Sequence, residues 1–144
     1  MLFLPGEASK AGSQISPLLI GSFVGVRNDA RLRGFSYMVV LVPNKSTVYG
    51  DLLLTESPYV KTDTLANQAE VLLRQNGVAV LNLTDPMKCA ARKMLPQKRY
   101  LWWRDDTHWN RYGVQVAAQE TWKLWQQMMQ KPACPAHHSR PFSS

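Results

Sequence analysis

The sequence predicts an α/β fold with a mainly parallel sheet, and three observations carry that prediction. Helix-like and strand-like segments alternate between residues 16 and 130. The strand candidates are short apolar runs rich in β-branched residues, the pattern of strands covered on both faces. The helix candidates show 3.6-residue apolar periodicity and recognisable ends. A chain of 144 residues fits one domain, which at this size buries about 68–70% of its unfolded surface. Its hydrophobic content of 45% is ordinary for a globular protein.

Each element follows from its residues. Ser16-Pro17 is an N-cap and first-turn pair for a helix to about Arg33, closed by Gly34. Gly21 and Gly25 weaken that helix by about 1 kcal/mol each relative to alanine. The run SYMVVLV, residues 36–42, reads as a buried strand ended by Pro43-Asn44-Lys45. Residues 63–75 are amphipathic, and Asn76-Gly77 is a helix stop. VAVLNL, residues 78–83, is a second buried strand, and Asp85-Pro86 opens a short helix through Met94. Arg99 to Trp103 reads as a third strand. Asn110 then caps a long helix to about Gln130, with Val114, Ala117, Ala118, Thr121, Trp125 and Met128 as its inward stripe. The division is a folded part at residues 1–131 and a tail at 132–144, PACPAHHSRPFSS, which lacks periodicity and is expected to be disordered. No internal repeat is present.

Composition narrows the functional classes. A net charge of +7 favours anionic partners: nucleic acid, acidic polysaccharide or an anionic surface. No apolar run approaches the roughly 18 residues of a membrane span. The start, MLFLPGEASKAG, is too short for a secretory signal, whose apolar stretch takes about 7–15 residues. Cys89 and Cys134 allow one disulfide, although two free thiols fit better. Asp106, His108, Cys134, His137 and His138 are metal-ligand types, but no C-x-x-C or H-E-x-x-H spacing is present, so no metal is expected. Lys88, Arg92, Lys93, Lys98, Arg99 and Arg104 interleave with Tyr100, Trp102 and Trp103, a combination that can bind single-stranded nucleic acid. No nucleic-acid module accompanies it, and none is expected to bind.

The chemistry-bearing stretch is YLWWRDDTHWNRYG, residues 100–113. Residues i and i+2 share a side in extended chain, so Asp106 and His108 can meet in a loop leaving a strand. The carboxylate would then hold the ring's Nδ1 proton and leave Nε2 free as a base. Sites in open α/β sheets lie beyond the carboxyl ends of strands, where this loop falls. Asp105 is the rival partner. A bare D-x-H triplet is more often a capping aspartate beside an exposed histidine.

A wider resemblance changes that weighting. YLWWRDDTHWNRYGVQVAAQ resembles the Asp-x-His-Trp segment of the SGNH-hydrolase-like alginate O-acetyltransferases, the AlgX/AlgJ-like family. FSYMVVLVPNKSTVYGDLL is similar to that family's strand followed by Pro-x-Lys and a tyrosine, and MLFLPGE to its leading strand. The likeness covers about residues 1–128, in order, and implies an SGNH/flavodoxin-like three-layer domain. It also implies an O-acetyltransferase or acetylesterase activity on an exopolysaccharide such as alginate, through a serine ester. His108 would be the general base and Asp106 its orienting carboxylate. Lys45 and Tyr49, in a loop at the end of the first long strand, would border the substrate, as would Trp109. No cofactor is implied. An anionic polysaccharide and a membrane-bound acetyl-donor protein are the implied partners, and the periplasm is the implied location.

One departure stands out. The family's serine follows the Asp-x-His motif at another strand-to-helix junction, whereas here Ser139, Ser143 and Ser144 lie in the tail. Tyr49-Gly50-Asp51-Leu52 resembles a Gly-Asp-Ser turn with leucine in place of serine, and nothing around Ser46 suggests an oxyanion hole. The chain is therefore expected to lack its nucleophile and to be the N-terminal half of a truncated or frameshifted enzyme. The alternative is a short non-catalytic module that binds polysaccharide or a partner.

Overall fold

The computed structural model of the protein describes residues 14–50 and 64–130. It is an α/β layering in the order α1 (Pro17–Leu32), β1 (Met38–Leu41), α2 (Lys45–Tyr49), α3 (Thr64–Gln75), β2 (Ala79–Asn82), α4 (Thr84–Met94) and α5 (Arg111–Gln130). A short 3₁₀ turn, Leu95–Gln97, extends α4. Asp51, Leu52, Cys134 and the whole 132–144 tail lie outside the described residues.

Helix ends follow local chemistry closely. Gly34 adopts φ +76°, its N–H donates to Arg31 O, and the Phe35 N–H donates to Ala30 O. That pair of bonds is the Schellman arrangement, which a left-handed residue permits. Gly77 (φ +72°) ends α3 in the same way, with its own N–H on Arg74 O and Val78 N–H on Leu73 O. After α4 the left-handed position falls to Lys98 (φ 55°).

β1 and β2 pair in parallel, Met38 opposite Ala79 through Leu41 opposite Asn82. Alternation along them divides the core in two. Val39 and Val80 point with Ile20, Leu73 and Val78 toward α1 and α3. Val40 and Leu81 point the other way, toward Val48, Tyr49, Met87, Leu101, Trp102 and Val116. Helices therefore cover both faces of the sheet, as a three-layer α/β domain requires.

Three expectations need correction. Arg99 to Trp103 is no strand: among the described residues only the single antiparallel bridge Trp102–Trp109 involves it. Side chains take the backbone groups that a neighbouring strand would have taken. Tyr49 Oη accepts the Leu101 N–H, and Asn110 Nδ2 donates to Tyr100 O and Trp102 O. Buried backbone groups require partners, not a particular kind of partner.

The stripe on α5 is also displaced. Gly113 and Val116 are the buried positions, while Val114 is 54% exposed. Val114, Ala118, Trp122 and Trp125 instead face Met38, Val40 and Val42 across an open apolar groove of about 580 Å³. Finally, residues 45–49 form the buried helix α2 rather than a loop.

Candidate functional site

The residues between Leu101 and Asn110 make a tight reversal that presents its tip to solvent. Its base is closed by Asn110 N–H to Leu101 O at 3.0 Å and Trp103 N–H to His108 O at 3.2 Å. Asn110 also caps α5, its Oδ1 accepting from Tyr112 N–H at 2.9 Å. Under the reversal sits Trp102, 2% exposed and edge-on to both Tyr49 and Trp109 with ring centroids 6.0 Å apart. Aromatic pairs favour this T-shaped contact, and here it braces the loop against α2.

At the tip, Asp106 and His108 meet as the triplet spacing predicts. Asp106 Oδ1 lies 2.6 Å from His108 Nδ1 and also accepts the His108 backbone N–H at 3.1 Å. A carboxylate only accepts, so Nδ1 carries the hydrogen and the Nε2 lone pair is left free. The His108 side chain is 83% exposed and that of Asp106 51%. Thr107, His108 and Trp109 line a shallow depression there. Asp106, not Asp105, is the partner. Among the described residues no serine hydroxyl bonds to the ring. Ser46 is fully buried with its Oγ unpartnered and out of reach of solvent.

The hydrogen bond from His108, then the backbone N–H groups of His108 and Thr107, hold the Asp106 carboxyl below its ordinary value. The sign follows from that direction. A carboxyl whose folded pKa is depressed contributes stability that is complete above the unfolded value, about 3.9. That contribution disappears as pH falls through the folded value. A carbon-13 titration of the Asp106 carboxyl should therefore show a midpoint below the ordinary aspartate range, and a midpoint at or above that range would contradict the pairing. Burial raises the Tyr49 phenol, so it remains neutral as an acceptor.

Lys45 and Tyr49, expected at the edge of the substrate, are 2% and 1% exposed. They lie beneath the loop, so they support it rather than line an open surface. Lys45 Nζ donates to Trp103 O (2.8 Å), Arg104 O (3.0 Å) and Asp106 O (2.9 Å). A lysine after a strand end carries no sequence signal for that burial. Asn110 was legible as a cap, but its second role, holding the carbonyls of 100 and 102, was not. The interleaved basic and aromatic surface is also revised: Trp102 is core and cannot stack on a base. Lys88, Arg92 and Lys93 border a surface depression on α4 with Cys89, an exposed free thiol. No helix among the described residues is long and apolar enough to cross a membrane.

The layered α/β unit and the Asp-x-His pair at a loop tip are both consistent with the SGNH-hydrolase-like class. The family described as "SGNH hydrolase-like domain, acetyltransferase AlgX" matches residues 5–141. The chain belongs to that family. It is similar to the probable alginate O-acetylase AlgJ of Pseudomonas putida, at 35% identity over 95 residues, 66% of this chain and 23% of that protein. It is also similar to the solved O-acetyltransferase domain of Pseudomonas putida AlgJ, with a TM-score of 0.60 and 27% identity over 80% of this chain and 42% of that one. The chain thus spans about a quarter of the curated relative and under half of the solved domain.

Proposed function

We propose that this chain supplies the histidine–aspartate base of an alginate-type O-acetyltransferase or acetylesterase. The observation that carries the reading is the 2.6 Å contact of His108 Nδ1 with Asp106, with Nε2 free, in a chain of this family. Nε2 takes the proton of an attacking hydroxyl as its oxygen bonds to the acetyl carbonyl carbon. Asp106 stabilises the imidazolium that forms. Collapse breaks the ester C–O bond, and His108 returns the proton to the departing alkoxide.

Among the described residues no serine hydroxyl reaches the His108 ring. With the described residues alone, the hydroxyl that His108 deprotonates is that of water or a saccharide. The +7 charge and the name of the AlgJ relative support an anionic polysaccharide substrate such as alginate. The same family membership supports a periplasmic setting and a membrane-bound acetyl donor.

The exposure of both site side chains favours one second reading, a non-catalytic module that binds polysaccharide or a partner. Full-length chain incubated with acetylated alginate oligomers distinguishes the two. We expect acetate release above the buffer rate, followed by proton NMR. Binding of the oligomers with release at the buffer rate would establish the module instead.

A further inference from the structure

The tip of the 101–110 loop stands in water, where a carboxylate–imidazole contact is screened and contributes little by itself. What brings Asp106 and His108 together must then be largely the path of the backbone. Two side chains from α2 hold that path. Lys45 Nζ donates to three carbonyls that converge on it, those of Trp103, Arg104 and Asp106, at 2.8–3.0 Å. The last is the backbone of the orienting aspartate itself. One helical turn later, Tyr49 Oη accepts the N–H of Leu101 at 2.9 Å, where the loop begins. Positions i and i+4 lie on one helix face, so α2 presents both anchors to the same loop.

Burial turns these contacts into a constraint. An ammonium that is 2% exposed is tolerated only while hydrogen-bond acceptors surround it. Opening the loop would remove three of those acceptors from a buried charge. Lys45 therefore resists movement of the tip far more than an exposed lysine would, through bonds to backbone oxygens of the loop.

We infer that Lys45 is a positioning residue for the Asp106–His108 pair, with Tyr49 as its second anchor, through the three carbonyls and one N–H they hold. The inference rests on reading that pair as the base of the reaction. Lys45→Met keeps the stem and removes the donor without leaving a charge. The loop then relaxes, Asp106 Oδ1 leaves Nδ1, and the ring samples both tautomers.

Nitrogen-15 NMR of the His108 ring in the full chain reads this directly. In wild type the ring should hold the Nδ1–H tautomer. In Lys45→Met it should move toward the mixture of free imidazole, with the Asp106 carboxyl titrating closer to its ordinary value. Amide signals of Val39 and Val80, in the opposite core cluster, report whether the fold survives. Should Lys45→Met not fold, Tyr49→Phe decides, because it deletes only the acceptor of the Leu101 N–H; a smaller shift in the same direction is expected. Lys45→Cys, aminoethylated to restore an ammonium, should recover the wild-type tautomer, with alkylated wild type as the control for the native cysteines.

A folded variant with the wild-type tautomer and unchanged Asp106 titration would overturn the inference. Where acetate release is measurable, Lys45→Met should lower it by about 10²-fold, the scale of a 1 Å misplacement. Absence of acetate release from wild type would sink the enzymatic reading and leave the NMR result standing. Release with an unmoved tautomer in the variants would sink the positioning role alone.

Discussion

Gly113→Ala is expected to destabilise the protein by about 1–3 kcal/mol, the range of core overpacking, whereas the same change at Gly21 or Gly25 should stabilise it. In an open helix, alanine gains up to about 1 kcal/mol over glycine. A Cβ at Gly21 or Gly25 would meet nothing within 4 Å, so that gain should appear. A Cβ at Gly113 would lie 2.3 Å from Leu101 O and 3.3 Å from both Leu101 C and Trp109 Cβ. The first distance is far inside van der Waals contact.

Nor can the oxygen step aside. It accepts the Asn110 N–H at 3.0 Å, and that bond closes the site loop. Relief must come from lifting the start of α5 off the loop, which strains the Asn110 cap and the Trp102–Trp109 contact together. Urea unfolding of the three single variants tests the sign at each position. A Gly113→Ala protein as stable as wild type would show that α5 and the loop are not in this close contact. Because the same approach shapes the loop, the substitution should also disturb the Asp106–His108 contact, which changes at Gly21 and Gly25 should not.

Gly113 also shows where sequence reading succeeds and where it stops. Local chemistry names helix ends, because the left-handed residue, the cap and the proline act within a few positions of the boundary they set. Pro17, Gly34, Gly77 and Asn110 all mark ends in the structure. The parallel pair of strands was legible for a related reason: residues 38–41 and 79–81 are apolar on both sides, the pattern of a strand covered on both faces.

What failed depended on distant partners. Residues 99–103 have strand composition, yet their backbone groups bond within the loop and to side chains of Asn110, Tyr49 and Lys45, the last two 52 and 58 residues away. The apolar stripe of α5 is real, but the Gly113–Leu101 approach directs another face inward and leaves Val114 and Trp122 on the groove. The Asp106–His108 contact was legible because it is local, two residues within one loop. Lys45 was not, since its acceptors lie 58 to 61 residues away.

His108→Ala is expected to lower acetate release by about 10²–10⁴-fold, the range of a positioned general base. Such a loss would tie the chemistry to this ring, and release unchanged by the substitution would remove the site assignment. Asp106→Asn should act through the same ring with a smaller loss, tenfold or more on the order-of-magnitude scale of a lost orienting group. Its amide can still accept the His108 backbone N–H, so the loop should persist. It can no longer stabilise an imidazolium by charge, and its NH₂ can donate to Nδ1, which selects the tautomer with Nε2 protonated and unable to act as a base. Asp105→Asn separates this from a general effect of acidity at the tip: Asp105 makes no contact with the ring, and its loss should leave the rate near wild type. His137 and His138 lie outside the described residues and are imidazoles in their own right, so the variants are compared in a His137→Ala/His138→Ala background. Weakly activated sugar acetates are the better substrates, because they require a base held in place and respond little to free imidazole. A fall with His108→Ala and Asp106→Asn but not Asp105→Asn would assign the base and its carboxylate. Equal falls at both aspartates would point to electrostatics of the loop rather than orientation of one ring.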